Sequence, residues 1–135
     1  MAKISAKEAV DMLEMVDAET YVFFNMKTEK VDFYGDYMEL DDEEYEKFED
    51  DIWIAAPTQR DINEYDIMTN FVNSVTDPRK NELLSVALEG RGAFRRFKDT
   101  LLRVELREEW FEFKRKAFIK IAKEWCDENN IELIL

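Results

Sequence analysis

Residues 20–35 read Thr-Tyr-Val-Phe-Phe-Asn-Met-Lys-Thr-Glu-Lys-Val-Asp-Phe-Tyr-Gly. Two β-branched and aromatic runs, 21–26 and 30–34, flank the polar connection Lys27-Thr28-Glu29. This pattern predicts an antiparallel hairpin, with Gly35 placed to end or bend its second strand. A lone hairpin is marginal in water, so other elements must cover it. Residues 51–55, Asp-Ile-Trp-Ile-Ala, read as a third strand closed by Pro57, and the apolar tail 131–135 reads as a fourth. The expected class is therefore α+β. A small, mainly antiparallel sheet made of the hairpin, the third strand and the C-terminal strand should lie under about five or six helices.

The helices are read outward from that sheet. Ser5-Ala-Lys-Glu8 is a capping-box pattern, opening a helix with Ala9, Val10, Leu13 and Val16 that should end near residues 17–19. Residues 41–48 predict a short acidic helix anchored by Tyr45 and Phe48. Asp61-Ile-Asn-Glu64 offers a second capping box, followed by Tyr65, Phe71, Val72 and Val75. Asp77-Pro78 starts another helix, using Leu83, Leu84, Ala87 and Leu88, with Gly90 as its left-handed cap. Phe94, Phe97 and Leu101 form a stripe on the next helix. A long final helix over 105–129 carries Leu106, Trp110, Phe113, Ala117, Ile121 and Trp125. Phe94, Phe97, Trp110, Phe113 and Trp125 are the expected aromatic core.

The chain has 135 residues, suited to a single globular domain over 1–135. It has no histidine, which removes His-based acid–base catalysis, Ser-His-Asp and Cys-His centres and HExxH metal sites. The lone Cys126 cannot form an internal disulfide and reads as buried filler. No signal peptide or membrane span is visible at the start or elsewhere, and cysteine usage fits a reducing cytosol, so a cytoplasmic protein is expected.

Charge is unevenly distributed. Residues 1–68 hold 20 acidic and 6 basic residues, whereas residues 69–135 hold 12 and 13. Within these halves, 39–51 carries nine carboxylates and one lysine, and 91–123 carries eleven bases and five acids. The simplest account is two solvated faces. The acidic run lacks the alternating frame and central glycine of a calcium loop, so no metal site and no cofactor are expected. Carboxylate pairs on shared helix faces are common in so acidic a chain, and no catalytic residue is assigned. The net charge of -13 argues against direct nucleic-acid binding.

One cationic motif stands apart, Gly90-Arg-Gly-Ala-Phe-Arg-Arg-Phe-Lys-Asp99. Arg91, Gly92, Arg95, Arg96 and Lys98 are the candidate anion-binding residues, with Gly90 and Asp99 as candidates for a structural or ion-pairing role. Arg91 and Arg95, one turn apart, should face the same way beside the N–H groups of a helix start. It is not a phosphate-loop signature. The plain alternative is a helix–helix corner whose arginines are neutralised by Asp99 and the acidic segment.

The motif, together with the early aromatic hairpin, the acidic middle and Trp110, Phe113 and Trp125, resembles UPF0158, an uncharacterised bacterial protein family. The resemblance implies a bacterial intracellular protein and brings no reaction or substrate with it. The expected function is a noncatalytic binding or adaptor role towards a protein partner or a small anion at the arginine motif. The alternatives are an enzyme acting on a phosphorylated or carboxylated substrate and a nucleic-acid-associated regulator.

Overall fold

Ser5 ends a strand and starts a helix at the same residue. The computed structural model, which describes residues 1–135, places β1 at Ala2–Ser5 and α1 at Ala6–Glu14. Ser5 is extended, and its hydroxyl accepts the Glu8 N–H at 3.1 Å as the helix cap. Ala6, Ala9, Met12 and Leu13 give α1 its buried face.

The hairpin forms from β2, Thr20–Asn25, and β3, Val31–Gly35, with Tyr21 opposite Tyr34 and Phe23 opposite Asp32. Its loop is set by Asn25, which is buried and whose side-chain oxygen accepts the N–H groups of Lys27 and Thr28. β4, Trp53–Ala55, adds on the other side of β2, giving an antiparallel sheet of order β3-β2-β4. Between them, α2 at Asp42–Glu46 runs into a 3-10 turn at Lys47–Glu49. A complete capping box opens α2: Asp41 accepts from Glu44 N–H and Glu44 accepts from Asp41 N–H.

β5, Ile131–Ile134, forms as expected but joins a different sheet. It pairs in parallel with β1, Ala2 against Ile131 through Ser5 against Ile134. The tail therefore corrects the expectation of one shared sheet. β1 has only one buried residue, Ile4, and too short an alternation to read as a strand without its partner.

The remaining helices are α3 at Gln59–Ile62, α4 at Glu64–Ser74, α5 at Pro78–Ala87, α6 at Ala93–Arg103 and α7 at Arg107–Glu128. The fold is α+β. The chain divides into two compact units, one of residues 1–62 and 118–135, the other of residues 63–117. In the first, Ile4, Leu13, Phe24, Phe118 and Cys126 are buried. Trp125 packs edge-on to Phe24 and donates its indole N–H to the Ala55 carbonyl at 2.9 Å, covering the β4 edge. In the second, Phe71, Phe97 and Trp110 form mutual edge-to-face contacts at centroid distances of 5.0–6.4 Å. No helix is long and apolar enough to cross a membrane.

Several local expectations change. The capping box near residue 61 is Thr58 with Asp61, each accepting the other's N–H, while Asn63 caps α4. Phe97, Trp110 and Trp125 are buried, but Phe94 is 45% exposed and Phe113 is half-buried. On α7 the buried positions after Trp110 are Phe118, Ala122, Trp125 and Cys126, so the stripe lies beside the expected one. Glu105 is not helical. Its φ is 61°, and the N–H groups of Glu105 and Leu106 bond back to the carbonyls of Leu102 and Leu101. That is a Schellman ending for α6 with glutamate in the left-handed place.

Candidate functional site

α5 and α6 meet through Glu89-Gly90-Arg91-Gly92, and the geometry follows from how α5 ends. Asp77 caps its start, accepting the Lys80 N–H at 3.0 Å, with Pro78 in the first turn. Its last turn leaves carbonyl oxygens without helical partners and carries the negative end of the dipole. Arg96, reaching back from α6, answers both needs. Its Nε donates to the Ala87 carbonyl at 3.2 Å, and Nη1 and Nη2 donate to the carbonyls of Arg91 and Glu89. The Tyr65 hydroxyl donates to the Leu88 carbonyl between them at 2.8 Å.

Both glycines of the corner have left-handed backbones, with φ of 71° at Gly90 and 76° at Gly92. Gly92 has a second reason to lack a side chain, since a Cβ there would lie 3.2 Å from Arg96 Nη1. Three of the five guanidinium N–H donors of Arg96 are thus committed to backbone carbonyls. Arg96 is the clamp of the corner, a role its position in the motif did not distinguish from anion binding.

The other cations behave differently. Arg91, Arg95 and Lys98 are exposed and make no ion pair. Arg91 lies before the Gly92 cap, so it is not one helical turn below Arg95 on α6. Asp99 is exposed and neutralises none of the arginines. With Glu82, Val86 and Arg103 it lines an open groove of about 410 Å³ beside α5 and α6.

Of the exposed residues of α6, Phe94, Arg95, Lys98 and Leu102 fall within about 100° of the helix circumference, with Asp99 just beyond Arg95. Phe94 is 45% and Leu102 59% exposed, so two large apolar side chains stand among two unpaired cations. Leu102 also lines a shallow depression with Phe111 and Arg107, and Arg107 lies 5.1 Å from the Phe111 ring centroid. Glu105, Glu108 and Glu109 line the same depression, leaving the α6 side as the cationic one. The sequence reading missed Leu102, although its place about 100° round the helix from Leu101 sets it off the stripe of Phe97 and Leu101, and it missed Tyr65 as a carbonyl partner.

No grouping of three or more His, Cys, Asp or Glu side chains that could hold a metal ion is present. The Cys126 thiol is buried, and desolvation, followed by the charge of Asp127, pushes its pKa up to about 11. Such a thiol is a poor nucleophile at neutral pH.

The family model for UPF0158, an uncharacterised protein family, matches residues 7–135. The chain belongs to the UPF0158 family. A relative in the family, the UPF0158 protein PA5073 of Pseudomonas aeruginosa, is 28% identical over 67 residues, covering 49% of this chain and 44% of that protein. The chain thus matches less than half the length of that relative. No solved structure matches. Within UPF0158 the corner's Gly90, Gly92 and Arg96 here have a structural explanation, and the exposed face of α6 is left over from it.

Proposed function

We propose that this UPF0158 protein is a noncatalytic binding protein that receives an acidic, apolar-bearing segment of a partner protein on the exposed face of α6. The observation that carries the reading is the mixture on one face: Phe94 and Leu102 exposed, with Arg95 and Lys98 exposed between them and unpaired. Two large apolar groups and two cations on one helix face make a mixed patch of the kind that polar-rimmed interaction sites present. Aromatic and aliphatic anchors ringed by cations suit a segment that offers apolar side chains among carboxylates. A cytosolic setting fits the single buried cysteine.

The test is a peptide-display selection on the whole protein and on the Arg95→Glu, Lys98→Glu double variant. The wild type should enrich sequences with Asp or Glu around one or two large apolar residues, and the double variant should lose them. Phe94→Ser should weaken the selected peptides at least tenfold. Enrichment of nothing acidic, or equal enrichment by both proteins, overturns the reading. Inorganic phosphate supplies the remaining arm. If it shifts the Gly92–Arg95 amide resonances at millimolar concentration while no peptide binds, the corner is a small-anion site and the partner reading fails.

A further inference from the structure

The outer face of the β3-β2-β4 sheet carries a second feature, of opposite charge. Tyr21 and Phe23 on β2, Asp32 and Tyr34 on β3, and Trp53 on β4 share the parity opposite to that of buried Val22 and Phe24. Phe48, from the 3-10 turn, sits over them with ring centroids 4.5 Å from Phe23, 5.4 Å from Tyr34 and 5.0 Å from Trp53. None of these aromatic rings is fully buried.

A cation already occupies this face. Lys47 Nζ lies 4.7 Å from the Phe48 centroid and 5.7 Å from that of Trp53, and 2.7 Å from Asp32 Oδ2. The carboxylate is held in place, because Asp32 Oδ1 accepts the Phe33 N–H at 2.8 Å. Lys47 is the one base among the nine carboxylates of residues 39–51. Its side chain remains 48% exposed, so the ammonium is seated at an open site and not enclosed in a core. The field there is negative, and Asp36 beside Tyr21 raises that phenol's pKa.

We propose that this aromatic and carboxylate site receives a lysine or arginine side chain from a basic segment of a partner protein, with Lys47 as an internal occupant that the incoming cation replaces. Two rings and one oriented carboxylate are the recognition chemistry of a cationic side chain, and Lys47 demonstrates the fit. The surrounding carboxylates attract a basic chain at long range. The partner chemistry is opposite to that assigned to α6, so the two sites stand or fall separately.

The probe is a short peptide of alternating arginine and glycine, followed on the intact protein through the Trp53 indole N–H resonance. Wild type should show a saturable shift that weakens with salt. Lys47→Ala should bind the peptide at least threefold more tightly than Lys27→Ala, which removes the same charge from an exposed hairpin loop of the same unit. Phe48→Leu, which keeps an apolar side chain but removes the ring, should weaken binding, as should Asp32→Asn. Equal affinities for Lys47→Ala and Lys27→Ala would show general attraction to an acidic surface and overturn the proposal. So would an unmoved Trp53 resonance, or a Lys47→Ala variant that binds less tightly than wild type while its melting curve is unchanged. If Lys47→Ala is less stable, the Phe48→Leu and Asp32→Asn affinities decide alone, and wild-type binding by both overturns the site.

Discussion

Removing the Arg96 side chain strips three carbonyls of their donor at one corner, whereas removing that of Arg95 strips nothing. Arg96→Ala is expected to lower stability by about 2 kcal/mol, allowing for solvent at an exposed corner, and Arg95→Ala by less than about 0.5 kcal/mol. Urea melts of the two variants check the contrast. In the sequence both arginines had equal standing, because the difference between them lies in which carbonyl oxygens are within reach, and neighbours on one helix carry no record of that. Phe94 was misplaced for a related reason: spacing from Phe97 and Leu101 put it on their stripe, and only the packing of α6 turned it outward. Cys126 was legible, since acidic neighbours and an apolar helix face both point to an inert thiol. With its pKa pushed up to about 11 from 9.0, the folded protein holds the thiol proton more tightly than the unfolded chain. Its contribution to stability is therefore present below about pH 9 and is lost as pH rises from there towards 11. Thiol-reagent labelling at pH 8 should be slow in the native protein and fast in urea, and a pH series of melts should show the alkaline loss shrink in Cys126→Ala.

At the scale of elements, the starts of helices were readable and their ends less so. Ser5 with Glu8, and Asp77 with Pro78, announce themselves because an N-cap is a side-chain device, written in residue type. The end of α6 uses a backbone device at a residue that does not advertise it. Glu105 has a φ of 61°, where a β-carbon costs about 1–2 kcal/mol. Glu105→Gly should therefore stabilise the protein by about 0.5–1 kcal/mol, after the extra entropy lost by glycine, and differential scanning calorimetry should show a higher Tm. Gly35 offers a contrast. A Cβ there would fall 2.2 Å from the Tyr37 ring, but that ring is 64% exposed and can turn into solvent, so Gly35→Ala should leave the Tm nearly unchanged. The hairpin was legible from composition because its strands satisfy their alternation locally. β1 was not, because a four-residue strand with one buried side chain takes its identity from a partner distant in sequence.

At the scale of the whole molecule, residues 63–117 form their own compact unit around Phe71, Phe97 and Trp110. Phe97→Ala and Trp110→Ala should each cost about 3–5 kcal/mol, the range for aromatic truncation in a packed core. Chemical denaturation measures it, and a loss below about 1 kcal/mol in both would place these rings outside the core. The other unit is assembled from two stretches, 1–62 and 118–135, and its β1–β5 pair is the place where they meet in register. That pairing has a consequence for the protein during its synthesis. Ala2–Ser5 leaves the ribosome more than a hundred residues ahead of its partner Ile131–Ile134. At elongation rates of about 5–20 residues per second, β1 waits roughly 6–25 s for β5. Throughout that interval Ile4 and the backbone of β1 have no strand to pair with, an opening for chaperones or for neighbouring nascent chains that closes only as the last strand arrives.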